Sequence, residues 1–319
     1  MLTPELLLRQ VHFRHEPGIQ FGFPRPAHFE ILAPDEELFW KLSPGRPNVN
    51  SLGFRGGEIA RPKPPAVYRV LFLGDSVPYQ GYPALVETFL NGWGIARRFE
   101  SVNLGVPGYS SHQGRVLVAR YGEMLEPDLV VISYGWNDHW QAYGAVDSRK
   151  KITVGRSAAA RTLGVLESRS RLVQWLRSVQ ARWLGTDRRL ATVRVPRDEY
   201  ESNLVHMGKF FAARRVPVIF LTAPTAHYAL GVPDYLVTQG FAPDKERVMA
   251  LHRGYNQVVR DVAVAHGWLV LDLERESAAL GNPAELFGGD GIHLTRAGAA
   301  RVAWRMANFI AGHWSRLAP

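Results

Sequence analysis

Four short polar segments hold the residue types that could perform chemistry. Gly74-Asp75-Ser76 supplies a hydroxyl, residues 103–110 are rich in glycine, Asn137 supplies an amide, and Asp290 precedes His293 by three positions. A hydroxyl, an imidazole base near neutral pKa, a carboxylate that orients the base and N–H donors for an oxyanion are the parts that acyl transfer requires. The four segments together therefore predict a nucleophilic-serine site.

Each segment alone also has an ordinary structural explanation. Asp75 and Ser76 are favoured helix-capping residues, and Asn137 could form an Asx-turn. Most glycine-rich turns have no catalytic duty, and a lone His293 after an aspartate could be part of a capped turn. The position of the segments in the predicted fold is what favours the chemical interpretation.

Apolar runs that alternate with helical patterns predict an α/β fold. The strands are predicted at residues 68–73, 99–104, 128–134, 216–222 and 268–273, and the helices at 83–93, 113–125, 200–214, 245–266 and 295–314, with Thr295 as an N-cap. Strands that are apolar throughout and separated by helices indicate a parallel sheet covered on both faces. Ligands bind beyond the carboxyl ends of such strands, where three of the polar segments lie, and the fourth lies just before the last helix.

Composition excludes several classes of protein and site. The 319 residues are 46% hydrophobic and 21% charged, which is typical of a globular protein and not of a disordered or fibrous one. The chain contains no cysteine, which excludes disulfides, thiolate metal sites and a cysteine nucleophile. His112, His139, His227 and His252 show no metal-ligand spacing, so we expect neither a metal nor a cofactor.

Residues 145–197 interrupt the alternation and carry much of the net charge of +9. Within this segment, residues 165–184 have apolar positions at helical spacing with arginines between them, which predicts a basic amphipathic helix. Three interpretations stay open for this insertion: packing on the domain with a solvated arginine face, a lid, or contact with an anionic surface through residues 149–197. We expect no nucleic-acid partner, because no recognised binding fold or aromatic platform accompanies the charge.

The N-terminal region differs from the rest of the chain. Residues 1–65 have little periodicity and many Pro and Gly residues, which predicts an extension packed on a domain at 66–314, with a mobile arm as the alternative. No window has the ~18 apolar residues that a membrane span needs. The sequence as written therefore predicts a cytoplasmic protein, and export stays open if the natural start lies upstream.

The segments FLGDS, NLGVPGYSS, YGWND and DGIH resemble blocks I, II, III and V of the SGNH hydrolases, also called GDSL esterases. The resemblance covers about residues 50–310 and implies a flavodoxin-like, three-layer α/β/α sandwich on a five-stranded parallel sheet. It implies that Ser76 is the nucleophile, His293 its base and Asp290 the orienting acid. It also implies oxyanion donors at the Ser76 N–H, the Gly108 N–H and the Asn137 side chain, and it makes Asp75 a turn residue rather than the triad acid.

Two features separate the chain from the simplest family pattern. Ser76 is followed by Val-Pro-Tyr-Gln rather than leucine, and residues 145–197 have no counterpart in the smallest members. The segment NSLGFRG at 50–56 resembles the lead-in of bacterial members found with extracellular polysaccharide genes, which favours a carbohydrate-linked acetyl ester as substrate.

The alternatives are an O-acyltransferase on the same triad, a lysophospholipase or thioesterase, and a non-catalytic polysaccharide-assembly module. Acyl chain length, the alcohol part of the substrate and the oligomeric state are not predicted.

Overall fold

A parallel five-stranded sheet forms the centre of the computed structural model, which describes residues 3–13, 31–95, 97–150, 166, 169–183, 189–277 and 281–318. The strands of the described residues are, in chain order, β1 Leu32–Asp35, β2 Phe39–Leu42, β3 Val67–Gly74, β4 Arg98–Asn103, β5 Leu129–Ser133, β6 Gln141–Tyr143, β7 Arg189–Val193, β8 Val218–Leu221 and β9 Leu269–Leu271. The central sheet has the order β4-β3-β5-β8-β9, and every neighbouring pair in it is parallel.

Helices cover both faces of this sheet. The α-helices of the described residues are α1 Pro4–Gln10, α2 Ser76–Tyr79, α3 Tyr82–Gly92, α4 Ser111–Tyr121, α5 Arg171–Trp183, α6 Arg197–Ala212, α7 His227–Leu230, α8 Asp234–Thr238, α9 Lys245–His266, α10 Leu273–Glu276, α11 Pro283–Leu286, α12 Arg296–Gly312 and α13 Trp314–Leu317. Helices α3 and α12 pack on one face, and α4, α6 and α9 pack on the other. The predicted three-layer α/β/α sandwich is confirmed.

Strand β3 shows why the sheet is buried on both sides. Its eight residues, VYRVLFLG, are all buried, and alternate residues contribute to the two opposite cores. The charged member, Arg69, donates to Glu100 and to two backbone carbonyl oxygens, so its guanidinium is satisfied inside the fold. The largely apolar sequence of the strand therefore matches its interior place in the sheet.

The five predicted strands and the predicted helices are present, with shifted ends for most of them, while α9 has the predicted ends at 245 and 266. The last strand is shorter than residues 268–273, because Asp272 caps α10 by accepting a hydrogen bond from the Arg275 N–H, which makes Leu273 helical. Helix α4 begins two residues before the predicted start, at Ser111. Thr295 is the N-cap of α12, as predicted, and accepts a hydrogen bond from the Gly298 N–H.

Two antiparallel strand pairs were not predicted. Strand β1 pairs with β2 in the N-terminal region, where buried side chains such as Trp40 and Phe54 join the core on the α4 side. Strand β6, which follows β5 in the chain, pairs with β7, which lies near the end of the insertion. These short strands lack a clean alternating pattern, and the division of the chain near residue 65 stays a prediction.

Helix α5 lies within the predicted basic helix, whose residues 165, 167, 168 and 184 are outside the described residues. The apolar side chains that α5 exposes are Trp175, Leu176, Val179 and Trp183, the last of which is 90% exposed. Contact with an anionic surface stays a prediction. Among the described residues, no helix is both long enough and apolar enough to cross a membrane.

Candidate active site

Ser76 lies at the first position of α2, directly beyond the carboxyl end of β3. Asp75 is the N-cap, and its Oδ1 accepts a hydrogen bond from the Val77 N–H at 2.9 Å. A Cβ atom at Gly74 would lie 2.6 Å from Pro78 Cγ and 2.7 Å from the Ser133 carbonyl oxygen, so this strand-to-helix turn requires glycine. The Ser76 N–H has no partner within its own helix, as expected at a helix start.

His293 is held by the turn between α11 and α12. The Asp290 Oδ1 accepts hydrogen bonds from the backbone N–H groups of Ile292 and His293, each at 2.9 Å. Gly291 has a φ of +68°, and a Cβ there would lie 2.4 Å from the His227 ring, so glycine fits both the backbone and the packing. This tight turn brings the Asp290 carboxylate next to the His293 ring.

The structure brings the predicted Ser76, Asp290 and His293 together. His293 Nε2 lies 2.7 Å from Ser76 Oγ, and His293 Nδ1 lies 2.5 Å from Asp290 Oδ2. A hydroxyl hydrogen-bonded to an imidazole whose other nitrogen contacts a carboxylate is the arrangement of a serine hydrolase triad. The carboxylate fixes the proton on Nδ1 and leaves Nε2 to accept from the hydroxyl.

The charges of His293 and Asp290 favour His293 as a base that works near neutral pH. Burial favours the neutral form of His293, but the hydrogen bond and the negative charge of Asp290 outweigh it and raise the pKa of His293 above its usual value. Burial also opposes ionisation of Asp290, yet the hydrogen bond from His293, its charge and two backbone N–H groups lower the pKa of Asp290 to about 2. Asp290 is therefore ionised throughout the pH range in which His293 gains or loses its proton.

Asn137 follows β5 at the same edge of the sheet and is buried. Its Nδ2 lies 3.3 Å from Asp75 Oδ2, which ties the Asn137 amide to the cap of the helix that carries Ser76. Burial raises the pKa of Asp75 to about 6, although the Val77 N–H, His293 and Asn137 each lower it. The side chain of Asp75 bonds to Val77 and Asn137, which fits its interpretation as a turn residue.

Gly108 lies in the loop between β4 and α4, with a φ of +81° that favours glycine. No hydrogen bond among the described residues uses its N–H as a donor. Asn103 anchors the start of this loop: its Oδ1 accepts from the Gly105 N–H at 2.9 Å, and its Nδ2 donates to the Pro78 carbonyl oxygen at 2.7 Å. The loop is thus fastened to the helix that carries Ser76.

Sequence reasoning missed two charged residues next to this loop. Arg194 was counted with the basic insertion, but it is only 1% exposed and donates from Nη1 to the Gly108 carbonyl oxygen at 2.9 Å. Asp147 is fully buried and accepts from the Arg194 guanidinium. The pattern held no signal that separates this arginine from its exposed neighbours.

Three histidines pack around Trp136 beside the site. His252 stacks on the Trp136 ring at 4.0 Å between ring centroids, and His139 and His227 lie against its edges. Burial lowers the pKa of His139 to about 3 and that of His252 well below its usual value, so these rings are neutral packing groups. In the part of the chain that the structure describes, no group of three or more His, Cys, Asp or Glu side chains could hold a metal ion.

Residues 72–301 match a family model described as the GDSL-like Lipase/Acylhydrolase family. A search of curated proteins finds no match. Among solved structures, the lipase/acylhydrolase from Enterococcus faecalis is 17% identical, with 77% of this chain and 96% of that chain covered and a TM-score of 0.50. That likeness supports the fold alone.

Two other solved structures have lower TM-scores. LAE5, an alpha/beta hydrolase enzyme from the metagenome of Lake Arreo, Spain, is 20% identical, with 79% of this chain and 97% of that chain covered and a TM-score of 0.49. A catalytic mutant of Axe2, an acetylxylan esterase from Geobacillus stearothermophilus, is 18% identical, with 79% of this chain and 94% of that chain covered and a TM-score of 0.46.

Proposed function

Because this chain belongs to the GDSL-like lipase/acylhydrolase family, we propose that it is a serine esterase that hydrolyses carboxylic esters with Ser76 as nucleophile. The observation that carries the proposal is the continuous hydrogen-bonded path from Ser76 Oγ through the His293 ring to Asp290. A hydroxyl is a weak nucleophile unless an adjacent base takes its proton, and this path supplies that base.

The reaction begins when His293 Nε2 takes the proton from Ser76 Oγ as the oxygen attacks the ester carbonyl carbon. Asp290 holds the ring in the required tautomer and stabilises the imidazolium that forms. The carbonyl oxygen becomes an oxyanion, which accepts hydrogen bonds from the Ser76 N–H, the Gly108 N–H and the Asn137 side chain.

The intermediate collapses when the bond to the alcohol oxygen breaks and His293 gives its proton to that oxygen. The acyl group then remains on Ser76 as an ester. A water molecule attacks this acyl-enzyme, His293 takes a proton from the water, and the carboxylic acid leaves as the Ser76 hydroxyl is restored. No metal or cofactor takes part in these steps.

The proposed substrate is an acetyl ester, with the alcohol part a carbohydrate. This choice is supported by the resemblance of residues 50–56 to members found with extracellular polysaccharide genes. An acetylated oligosaccharide assayed for free acetate, with and without an added sugar acceptor, separates hydrolysis from acetyl transfer. Acetate release in both cases supports the esterase, and acetyl appearing only on the acceptor supports an O-acyltransferase.

The function is tested with p-nitrophenyl esters of two to twelve carbons. We expect turnover to be fastest with the acetate and to be lost in Ser76→Ala. Ser101→Ala is the matched control, because Ser101 lies on β4 and its hydroxyl donates to Glu87, away from the histidine. Full activity in Ser76→Ala would contradict the proposal, and a preference for the longest esters would favour a lysophospholipase or thioesterase.

A further inference from the structure

The loop that carries Gly108 is held from both sides by buried side chains of distant segments. Trp40 Nε1 donates to the Pro107 carbonyl oxygen at 3.0 Å, and Arg194 Nη1 donates to the Gly108 carbonyl oxygen at 2.9 Å. Trp40 is 5% exposed and Arg194 is 1% exposed. The carbonyl groups of two successive peptides are therefore fixed by donors that solvent does not reach.

The bond from Trp40 acts on the same peptide as the Gly108 N–H. In a trans peptide, the carbonyl of one residue and the N–H of the next lie in one plane and point in opposite directions. Holding the Pro107 carbonyl oxygen thus sets the direction of the Gly108 N–H. The Tyr109 hydroxyl reinforces the contact by donating to the Trp40 carbonyl oxygen at 2.5 Å.

Asp147 in turn holds Arg194 in place. The Arg194 guanidinium donates to Asp147 Oδ2 from Nε at 3.1 Å and from Nη2 at 2.8 Å, while Lys150 and Ser110 donate to the same carboxylate. Burial opposes the charge of Asp147, but Arg194 and Lys150 outweigh it and lower the pKa of Asp147 to about 2. The fork of Arg194 thus bridges an ionised carboxylate and the Gly108 carbonyl.

Both holding residues come from segments outside the central sheet. Trp40 lies on β2, which is outside the residues that match the family model, and Arg194 follows β7 directly. The N-terminal region and the insertion, which are far apart in the sequence, therefore both contact this one loop.

We propose that Trp40 and Arg194 are positioning residues that hold the Pro107–Gly108–Tyr109 peptides, so that the Gly108 N–H is aimed at the oxyanion formed on Ser76. This inference rests on the proposed esterase function. The N-terminal region and the insertion thereby help to position a group of a site whose nucleophile and base follow β3 and precede α12.

Two conservative variants test the proposal. Trp40→Phe keeps an aromatic ring and removes the N–H donor. Arg194→Lys keeps the charge opposite Asp147, but a single ammonium does not reproduce a guanidinium fork that serves two acceptors at once. An oxyanion donor that is displaced loses much of its stabilisation of the transition state. We therefore expect kcat to fall about 10- to 100-fold in each variant, with KM nearly unchanged.

Matched controls separate positioning from general damage. Trp268→Phe changes a tryptophan that packs on Gly208 just before β9, and Arg305→Lys changes an arginine of α12 whose guanidinium donates to Glu276. Both controls are expected to keep kcat within about twofold. Wild-type kcat in both Trp40→Phe and Arg194→Lys, or an equal loss in the controls, would overturn the proposal.

Amide hydrogen exchange of residues 104–110 gives a readout that needs no activity. We expect faster exchange in this loop in Trp40→Phe and Arg194→Lys than in the two controls, with the rest of the sheet unchanged. Unchanged amide exchange of residues 104–110 in both variants would overturn the proposal that Trp40 and Arg194 hold this loop in place. A wild-type protein that hydrolyses no ester would count against the proposed function, and the exchange comparison would still decide whether the two side chains hold the loop.

Discussion

His293 Nε2 lies 2.7 Å from Ser76 Oγ, although the two residues are 217 positions apart in the chain. Ser76 begins the helix that follows β3, an interior strand of the sheet, and His293 lies in the turn that leads into α12. Helix α12 packs on α3 on one face of the sheet, which brings the two ends of the domain together. The contact is therefore set by the sandwich, and the catalytic predictions below depend on it.

The pH dependence of activity should follow His293. The base accepts a proton only when it is neutral, and the pKa of His293 lies above its usual 6.5. We therefore expect kcat/KM to rise with pH and to reach half of its plateau above pH 6.5. Measurement of p-nitrophenyl acetate hydrolysis from pH 5 to pH 9 gives this midpoint.

Asp290→Asn should move that midpoint to lower pH. The substitution removes the negative charge that stabilises the imidazolium, so the pKa of His293 falls, and the lost orientation lowers the plateau. Asp234→Asn is the control, because Asp234 is an exposed residue that pairs with Lys245 and does not contribute to the pKa shift of His293. An unchanged midpoint in Asp290→Asn would show that another group sets the pH dependence.

Asn137→Ala should lose about 10²–10³-fold in kcat, the usual effect of removing one oxyanion donor, while KM changes little. The variant also leaves Asp75 Oδ2 without its Asn137 donor, so thermal unfolding is measured alongside the kinetics. A loss of less than about fivefold in a folded variant would remove Asn137 from the proposed oxyanion site.

The fold was predictable because β3, β5 and β8 are buried along almost their whole length and therefore read as largely apolar runs, such as VYRVLFLG of β3. The candidate site residues Ser76, Asn137 and His293 were predictable because each of them occupies a turn with a recognisable local pattern. Trp40 and Arg194 were not predictable, because their contacts with Pro107 and Gly108 join segments 67 and 86 positions apart and depend on tertiary packing. One arginine among many exposed ones carries no local signal of burial.

Arg69→Met should destabilise the protein strongly. The guanidinium is fully buried in β3, and its loss leaves Glu100 and the carbonyl oxygens of Leu125 and Ala60 without this donor. Removing one partner of a buried ion pair costs about 3–5 kcal/mol, which urea unfolding measures directly. Arg98→Met, at an exposed position of β4, should stay within about 0.5 kcal/mol of wild type, and equal stability of the two variants would contradict this account.

Helix α5 should bind vesicles that contain anionic lipid. It exposes Trp175 and Trp183 together with Arg182, and basic amphipathic helices with exposed tryptophan bind such surfaces. Co-sedimentation with phosphatidylserine vesicles should weaken with added salt and in the double variant Trp175→Ser/Trp183→Ser. Trp304→Ser, which changes a tryptophan on α12 that is about as exposed as Trp175, is the control, and equal binding of both variants would contradict the expectation.

The most direct test of the central claim is covalent labelling of the wild-type protein with a fluorophosphonate probe, followed by mass-spectrometric identification of the modified residue. The proposed function predicts a single label on Ser76, absent in Ser76→Ala and strongly slowed in His293→Ala, because the serine needs its base. A label on another residue that survives in Ser76→Ala, or a folded wild-type protein that takes up no label, would contradict it.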